Sequence, residues 1–206
     1  MKKIFVIQIV VLHFSVNSFS QNIIKQYIQL SRPEKLWVVS HFFIARKTAD
    51  VIATSINQVE HYNIHFKLDG INNGGNLDAF RHAYSMAILS KKIGKKKALS
   101  LGKAHEKGNY IQFKKGKFED GILPDYASTE MDLFNNLIGA EIGKIHAICS
   151  NDSIANIILM SIKNGDLRML NIDKKGNYLN CKHEIIEFPL KRKAWFTARC
   201  VVPSNY

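Results

Sequence analysis

Residues 131–143 read MDLFNNLIGAEIG, and helical spacing sets Asp132, Asn135, Asn136, Gly139 and Gly143 along one face at offsets of three, four, seven and eleven. A glycine in a helix costs about 1 kcal/mol relative to alanine. Two of them on one stripe therefore mark a place where another backbone must come close. The asparagines gain nothing from helix propensity and need hydrogen-bond partners if they are buried. This face calls for a closely packed neighbour at the glycines and specific polar partners at the other end. Those partners can come from Arg81, His82, His105 or Glu106.

Polar residues are concentrated on two further helical segments. In NLDAFRHAYSMAILSKK, residues 76–92, Asp78 and His82 are i, i+4 neighbours with Arg81 beside them. Asn76, at the end of the Asn- and Gly-rich stretch HYNIHFKLDGINNGGN, reads as the cap of this helix, and that stretch reads as the end of the helix before it. A next helix is expected over about residues 95–107 and carries His105 and Glu106 in its last turns. The glycine- and lysine-containing stretch GNYIQFKKGKFEDGILPDYAS reads as a loop.

Elsewhere the pattern is also helical. Ser31 and Pro33 open a segment whose apolar residues recur through Trp37, Phe42, Ile44 and Val51, as one long helix or a broken pair. DSIANIILMSIKNG starts at an acidic cap and stops at Gly165. The remaining C-terminal residues are less periodic, with a turn at Lys175, Gly176 and Asn177 and room for a small hairpin. The expected fold is mainly α: a single-domain irregular helical bundle over residues 21–206, with a less regular C-terminal segment.

The first twenty residues combine Lys2 and Lys3, an apolar run over residues 4–12 and a small-residue ending before Gln21, the three parts of a secretory signal. The run is much shorter than the ~20 residues of a spanning helix, so no stable transmembrane anchor is expected. The chain is expected to be exported, periplasmic or extracellular, after cleavage near Ser20. The alternative is an uncleaved chain acting at the cytoplasmic membrane face.

Lys and Arg number 29 against 17 Asp and Glu, a formal net charge of +12. A basic surface favours phospholipid, nucleic acid or acidic glycan as partner, although clusters over residues 91–97, 114–117 and 191–193 also serve simply as solvated faces. Of the three cysteines, Cys181 and Cys200 flank the C-terminal segment and can pair, while Cys149 lies on an apolar helical pattern. No CxxC spacing suggests a thiolate zinc site.

The three polar segments together suit a hydrolytic cleft. His82 and His105 can carry protons or ligate metal, Glu106 and Asp132 can orient an imidazole, and Arg81 can hold an anion or a developing oxyanion. Asp78, Asn135 and Asn136 would position the substrate. HExxH is absent, since Lys107, Gly108, Asn109 and Tyr110 follow Glu106, as are GxSxG and the phosphate-binding loop GxxxxGK[ST]. The stretch DGINNGGN lacks the alternating acids and closing glutamate of a calcium loop. Adjacent helical residues point about 100° apart, so His105 and Glu106 do not face one small ion together. His41, His61, His65, His146 and His183 have no clustered acid. The alternative to a cleft is a polar network that pins three helices in register.

With these residues in hand, the chain resembles a bacterial family of unknown function whose members carry an N..DAFRHA helix, a following A.HE and an MDL.NN..G..IG helix. The matching residues are Asn76, Asp78, Ala79, Phe80, Arg81, His82 and Ala83, then Ala104, His105 and Glu106, then Met131, Asp132, Leu133, Asn135, Asn136, Gly139, Ile142 and Gly143. The resemblance spans about residues 31–165 and implies that the three motifs form one site. Phe134 departs from it, standing where the family commonly has a histidine. The resemblance names no reaction. From the residues we expect a hydrolase of an anionic phosphate or carboxylic ester, or else a non-enzymatic helical binding module.

Overall fold

The computed structural model describes residues 27–118, 122–187 and 193–206. The expected export signal over residues 1–20 lies outside them, as do Lys191 and Arg192 of the last basic cluster. The fold is mainly α, and among the described residues it is carried by the helices α1 (Arg32–Ser40), α2 (Phe42–Phe66), α3 (Asn76–Ile93), α4 (Lys95–Lys115), α5 (Tyr126–Ile145) and α6 (Asn151–Asn164). Two short strands, β1 (Arg168–Leu170) and β2 (Val201–Pro203), follow.

The first segment is a broken pair. Ser31 and Glu34 cap α1 reciprocally, each side chain accepting the other's backbone N–H, with Pro33 in the first turn. His41 interrupts the helix before α2 restarts at Phe42. The end of α2 differs from expectation, since HYNIHF remains helical to Phe66 and Lys67 turns left-handed at φ 52°. Packing overrides composition here. The Tyr62 and Phe66 rings both pack edge-on against Phe80, at 5.9 Å.

The start of α3 also differs. Asn76 is its first residue, and the cap comes from Asp69, whose carboxylate accepts the N–H groups of Asn76 at 2.6 Å and Leu77 at 3.0 Å. Gly75 makes room for it, because a Cβ there would meet Asp69 Oδ2 at 2.6 Å. Helix α4 runs past Lys107 to Lys115, absorbing part of the expected loop, because Tyr110 and Phe113 pack against the Trp195 ring at 4.7 and 5.1 Å. Helix α6 is capped by Ser150 and closed by Gly165 at φ 80°.

At the centre, α3 lies against α5. Ala79, Ala83 and Ala87 are fully buried, and Gly139 and Gly143 face the backbone of Ala83 and Ala87. Ser90 adds a hydrogen bond across the same seam to the Ala140 carbonyl at 2.7 Å. On the other side of α3, Phe80 and Tyr84 join Val59, Tyr62, Ile154, Ile158 and Leu167 in the main core.

The C-terminal segment closes back on these helices. Strands β1 and β2 pair antiparallel with Met169 opposite Val202, and the Lys175, Gly176 and Asn177 turn forms on the Asp173 carboxylate, which accepts the N–H groups of Lys175 and Asn177. Cys181 and Cys200 form a disulfide. Cys149 is unoxidised and half-buried in the turn after α5. Among the described residues, no helix is long and apolar enough to cross a membrane.

Candidate active site

The close seam between α3 and α5 sets the site. Where the two backbones nearly touch at Gly139 and Gly143, side chains one to two turns earlier on α5 come against the first turns of α3. There Asp78 and His82 meet Asp132 and Asn136. The His82 Nε2 atom lies 3.2 Å from Asp132 Oδ1 and 3.5 Å from Asp78 Oδ1. The other ring nitrogen, Nδ1, is 3.3 Å from Asn136 Oδ1.

Asp78 is held from behind. It is buried, and its Oδ2 accepts the Gly74 N–H at 2.7 Å. Its Oδ1 takes the Arg81 guanidinium at 2.7 Å, and Arg81 also donates to the Asn72 carbonyl at 3.1 Å. The Arg81 side chain keeps about a third of its surface open, 32%, against 14% for His82 and 10% for Asp132. A basic side chain thus stands at the mouth of an acidic, enclosed cluster. Burial pushes the His82 imidazolium pKa down; Asp78 pulls against it, while Arg81 and His105 push further in the same direction.

The remaining expected residues lie apart from this group. His105 is on α4 and bonds Glu34 Oε1 at 3.0 Å through Nδ1. Glu106 is buried and accepts from the Asn109 amide at 3.2 Å. Asn135 is fully buried, and its amide pairs with the backbone of Arg168 at both ends, donating to the carbonyl and accepting the N–H at 2.9 Å each. One helix face therefore divides its work: Asp132 and Asn136 meet His82, and Asn135 anchors β1.

One buried pair was not foreseen. Asp125, the cap of α5, receives two hydrogen bonds from Arg199, at 2.5 and 2.8 Å, and one from the Thr197 hydroxyl at 2.5 Å. Arg199 lies over the Tyr178 ring at 4.9 Å. The spacing of Asp125 and Ser128 signals a cap, but nothing in the sequence joins Asp125 to a residue 74 positions later.

This geometry falls inside a recognised family span. A family model described as a domain of unknown function, DUF6973, matches residues 35–166. The chain belongs to the DUF6973 family. The DUF6973 span contains Asp78, Arg81, His82, Asp132 and Asn136 and ends before β1, so the Arg199 clamp and the disulfide lie outside it. Within the DUF6973 helix α5, Phe134 packs beneath the Arg168 guanidinium at 4.5 Å. No curated protein and no solved structure matches the chain.

Proposed function

We infer that this chain is an exported hydrolase of an anionic ester, a phosphodiester, phospholipid or carboxylic ester, acting at the cluster of Asp78, His82 and Asp132. The single observation that carries the reading is the enclosed His82 ring, whose Nε2 lies 3.2 and 3.5 Å from two carboxylate oxygens. Such a group has little structural need to be there and suits the activation of a water molecule. The water oxygen attacks phosphorus or the carbonyl carbon while its proton passes to the cluster. Arg81 neutralises charge on the substrate and on the developing oxyanion. The ester bond breaks, and the leaving alkoxide takes up a proton from solvent.

Export over residues 21–206 as one domain, after cleavage near Ser20, fits the Cys181–Cys200 disulfide, which an oxidising compartment permits. Without Lys2 and Lys3 the exported chain keeps 27 Lys and Arg against 17 Asp and Glu, a net charge of +10 that draws it to anionic substrates and surfaces.

The test is hydrolysis of a phosphodiester, an anionic phospholipid and a carboxylic ester by the purified chain and by His82→Ala. Cleavage of one class, reduced by about 100-fold or more in a folded variant, is the expected result. Equal rates in the two proteins would sink the reading. A non-enzymatic binding module is the second reading, and the Asn135 amide favours it, since that side chain is spent on the framework at both ends.

A further inference from the structure

We propose that Asp78, His82 and Asp132 bind a single divalent first-row transition cation, of the zinc or manganese class, through Asp78 Oδ1, His82 Nε2 and Asp132 Oδ1. This deepens the hydrolase reading and assigns the means of water activation, but the ion's binding can be tested apart from any reaction.

Three donor atoms, one from each residue, lie within 4.8 Å of one another. Donors about 2.1 Å from a tetrahedral ion stand about 3.4 Å apart, and His82 Nε2 stands 3.2 and 3.5 Å from the two carboxylate oxygens. One imidazole with two carboxylates suits borderline ions rather than thiolate-seeking ones, and three protein ligands leave a coordination position for water.

The other side of the ring agrees. Asn136 Oδ1 is 3.3 Å from Nδ1 and, accepting from it, places the ring proton on Nδ1. Nε2 then faces two carboxylate oxygens, at 3.2 and 3.5 Å, the three atoms converging on a place for a cation. A ligating histidine typically has its second nitrogen held in this way. The Asp78 carboxylate is likewise fixed from behind by the Gly74 N–H at 2.7 Å. Thr129 lies one turn before Asp132 on α5, and its buried hydroxyl has no hydrogen-bond partner among the described residues.

Charge accounts for the substrate class. Arg81 shares Asp78 Oδ1 at 2.7 Å, so two carboxylates and one guanidinium leave a net negative site. A divalent ion turns it net positive by one, which favours an anionic ester. The ion also lowers the pKa of its bound water toward neutrality, the proton leaving to solvent, so that Nε2 ligates the ion and need not accept a proton itself.

The test is calorimetric titration of the chelator-treated chain with Zn²⁺ and with Mn²⁺, each alone, beside His82→Ala, Asp132→Asn, Asn136→Ala and, as control, His105→Gln. One ion per chain is expected for wild type and His105→Gln. Binding should fall about 10- to 100-fold in Asn136→Ala and further in the two ligand variants. Imidazole ¹⁵N spectra of the wild-type chain give an answer that no variant's folding can spoil: with the ion added, His82 should carry its proton on Nδ1 and its Nε2 resonance should shift. Binding at this site in a chain that cleaves no ester supports the proposal and removes the hydrolase reading. Hydrolysis that persists in chelator with no ion bound does the reverse. An Nε2 resonance that the ion leaves unmoved, or binding undiminished in both ligand variants, overturns the proposal.

Discussion

Gly139 faces the backbone of Ala83 so closely that a Cβ on it would stand 2.1 Å from the Ala83 carbonyl oxygen and 2.6 Å from its Cα. Gly143 repeats the relation one turn later with Ala87, again at 2.1 Å. Helix propensity alone would make Gly139→Ala stabilising by about 1 kcal/mol. The obstruction is backbone, which cannot turn aside, so we expect the substitution to lose about 3 kcal/mol instead. Gly102→Ala is the contrast, because its nearest obstacle is the flexible tip of Met86, at 2.9 Å. Urea unfolding of both variants should show a large drop in midpoint for the first and a small change for the second.

The Asp125–Arg199 pair should dominate the attachment of the C-terminal segment. The Arg199 side chain is fully buried and that of Asp125 is 2% exposed. Arg199→Met leaves a buried carboxylate without its guanidinium and should cost about 3–5 kcal/mol, with Asp125→Asn/Arg199→Met recovering part of it. Burial alone would raise the Asp125 pKa, but the Arg199 hydrogen bonds and charge overcome this and hold it below the ordinary carboxylate value. A carboxylate lowered on folding contributes stability that is present above its unfolded value, near pH 4, and lost as pH falls through the folded one. Unfolding free energy should therefore decline below about pH 4 in the wild type, and Arg199→Met should lack that component.

Asn135 provides a test of framework against site. Removing its amide in Asn135→Ala leaves the Arg168 N–H and carbonyl without the partners they now have at 2.9 Å. A loss of about 2 kcal/mol in unfolding free energy is expected. A change in substrate affinity with stability intact would instead move Asn135 into the candidate site.

These cases indicate which parts of the molecule were legible in the sequence. The stripe from Asp132 to Gly143 was readable because both its demands, room for a backbone and partners for polar groups, follow from helical period and residue chemistry. Ser31 with Pro33, and the turn at Gly176, were readable as local signals. The end of α2 was not, since Tyr62 and Phe66 remain helical through rings that arrive from α3. Nor was the cap of α3, which comes from Asp69 across a loop. In the site, the i, i+4 spacing of Asp78 and His82 put them together, but the partners that reach them depend on how α3, α4 and α5 cross. That crossing separates Asn135 from its neighbour Asn136 and sends His105 to Glu34.

Glu34 and His105 should make the α1–α4 contact acid-sensitive. Burial would raise the Glu34 carboxyl, but hydrogen bonds from His105 and Ser31 together outweigh it and bring the pKa down from 4.5 to about 2. The pair's contribution is thus present above pH 4.5 and lost as pH falls toward 2. Carboxyl ¹³C titration of the wild type should place Glu34 well below the other glutamates, and His105→Ala should return it toward 4.5. An unchanged titration in the variant would assign the effect to Ser31 alone.

Reduction of the Cys181–Cys200 disulfide should loosen the C-terminal segment before it disturbs the helices. The bond closes a loop with a sequence separation of 19, and a loop of that size restricts the unfolded chain by about 3 kcal/mol. Its folded-state effect is local: Cys200 directly follows Arg199 and precedes β2, so the bond holds the residue that clamps Asp125. The seam between α3 and α5, built from Gly139, Gly143, Ala83 and Ala87, contains no part of this segment. With reductant, the melting temperature should fall while far-ultraviolet circular dichroism below the transition stays close to that of the oxidised chain. Amide exchange should speed up over residues 195–206 and at the start of α5, and stay slow at Ala83 and Ala87. Uniform acceleration across α3 would mean that the C-terminal clamp and the helical core unfold as one unit.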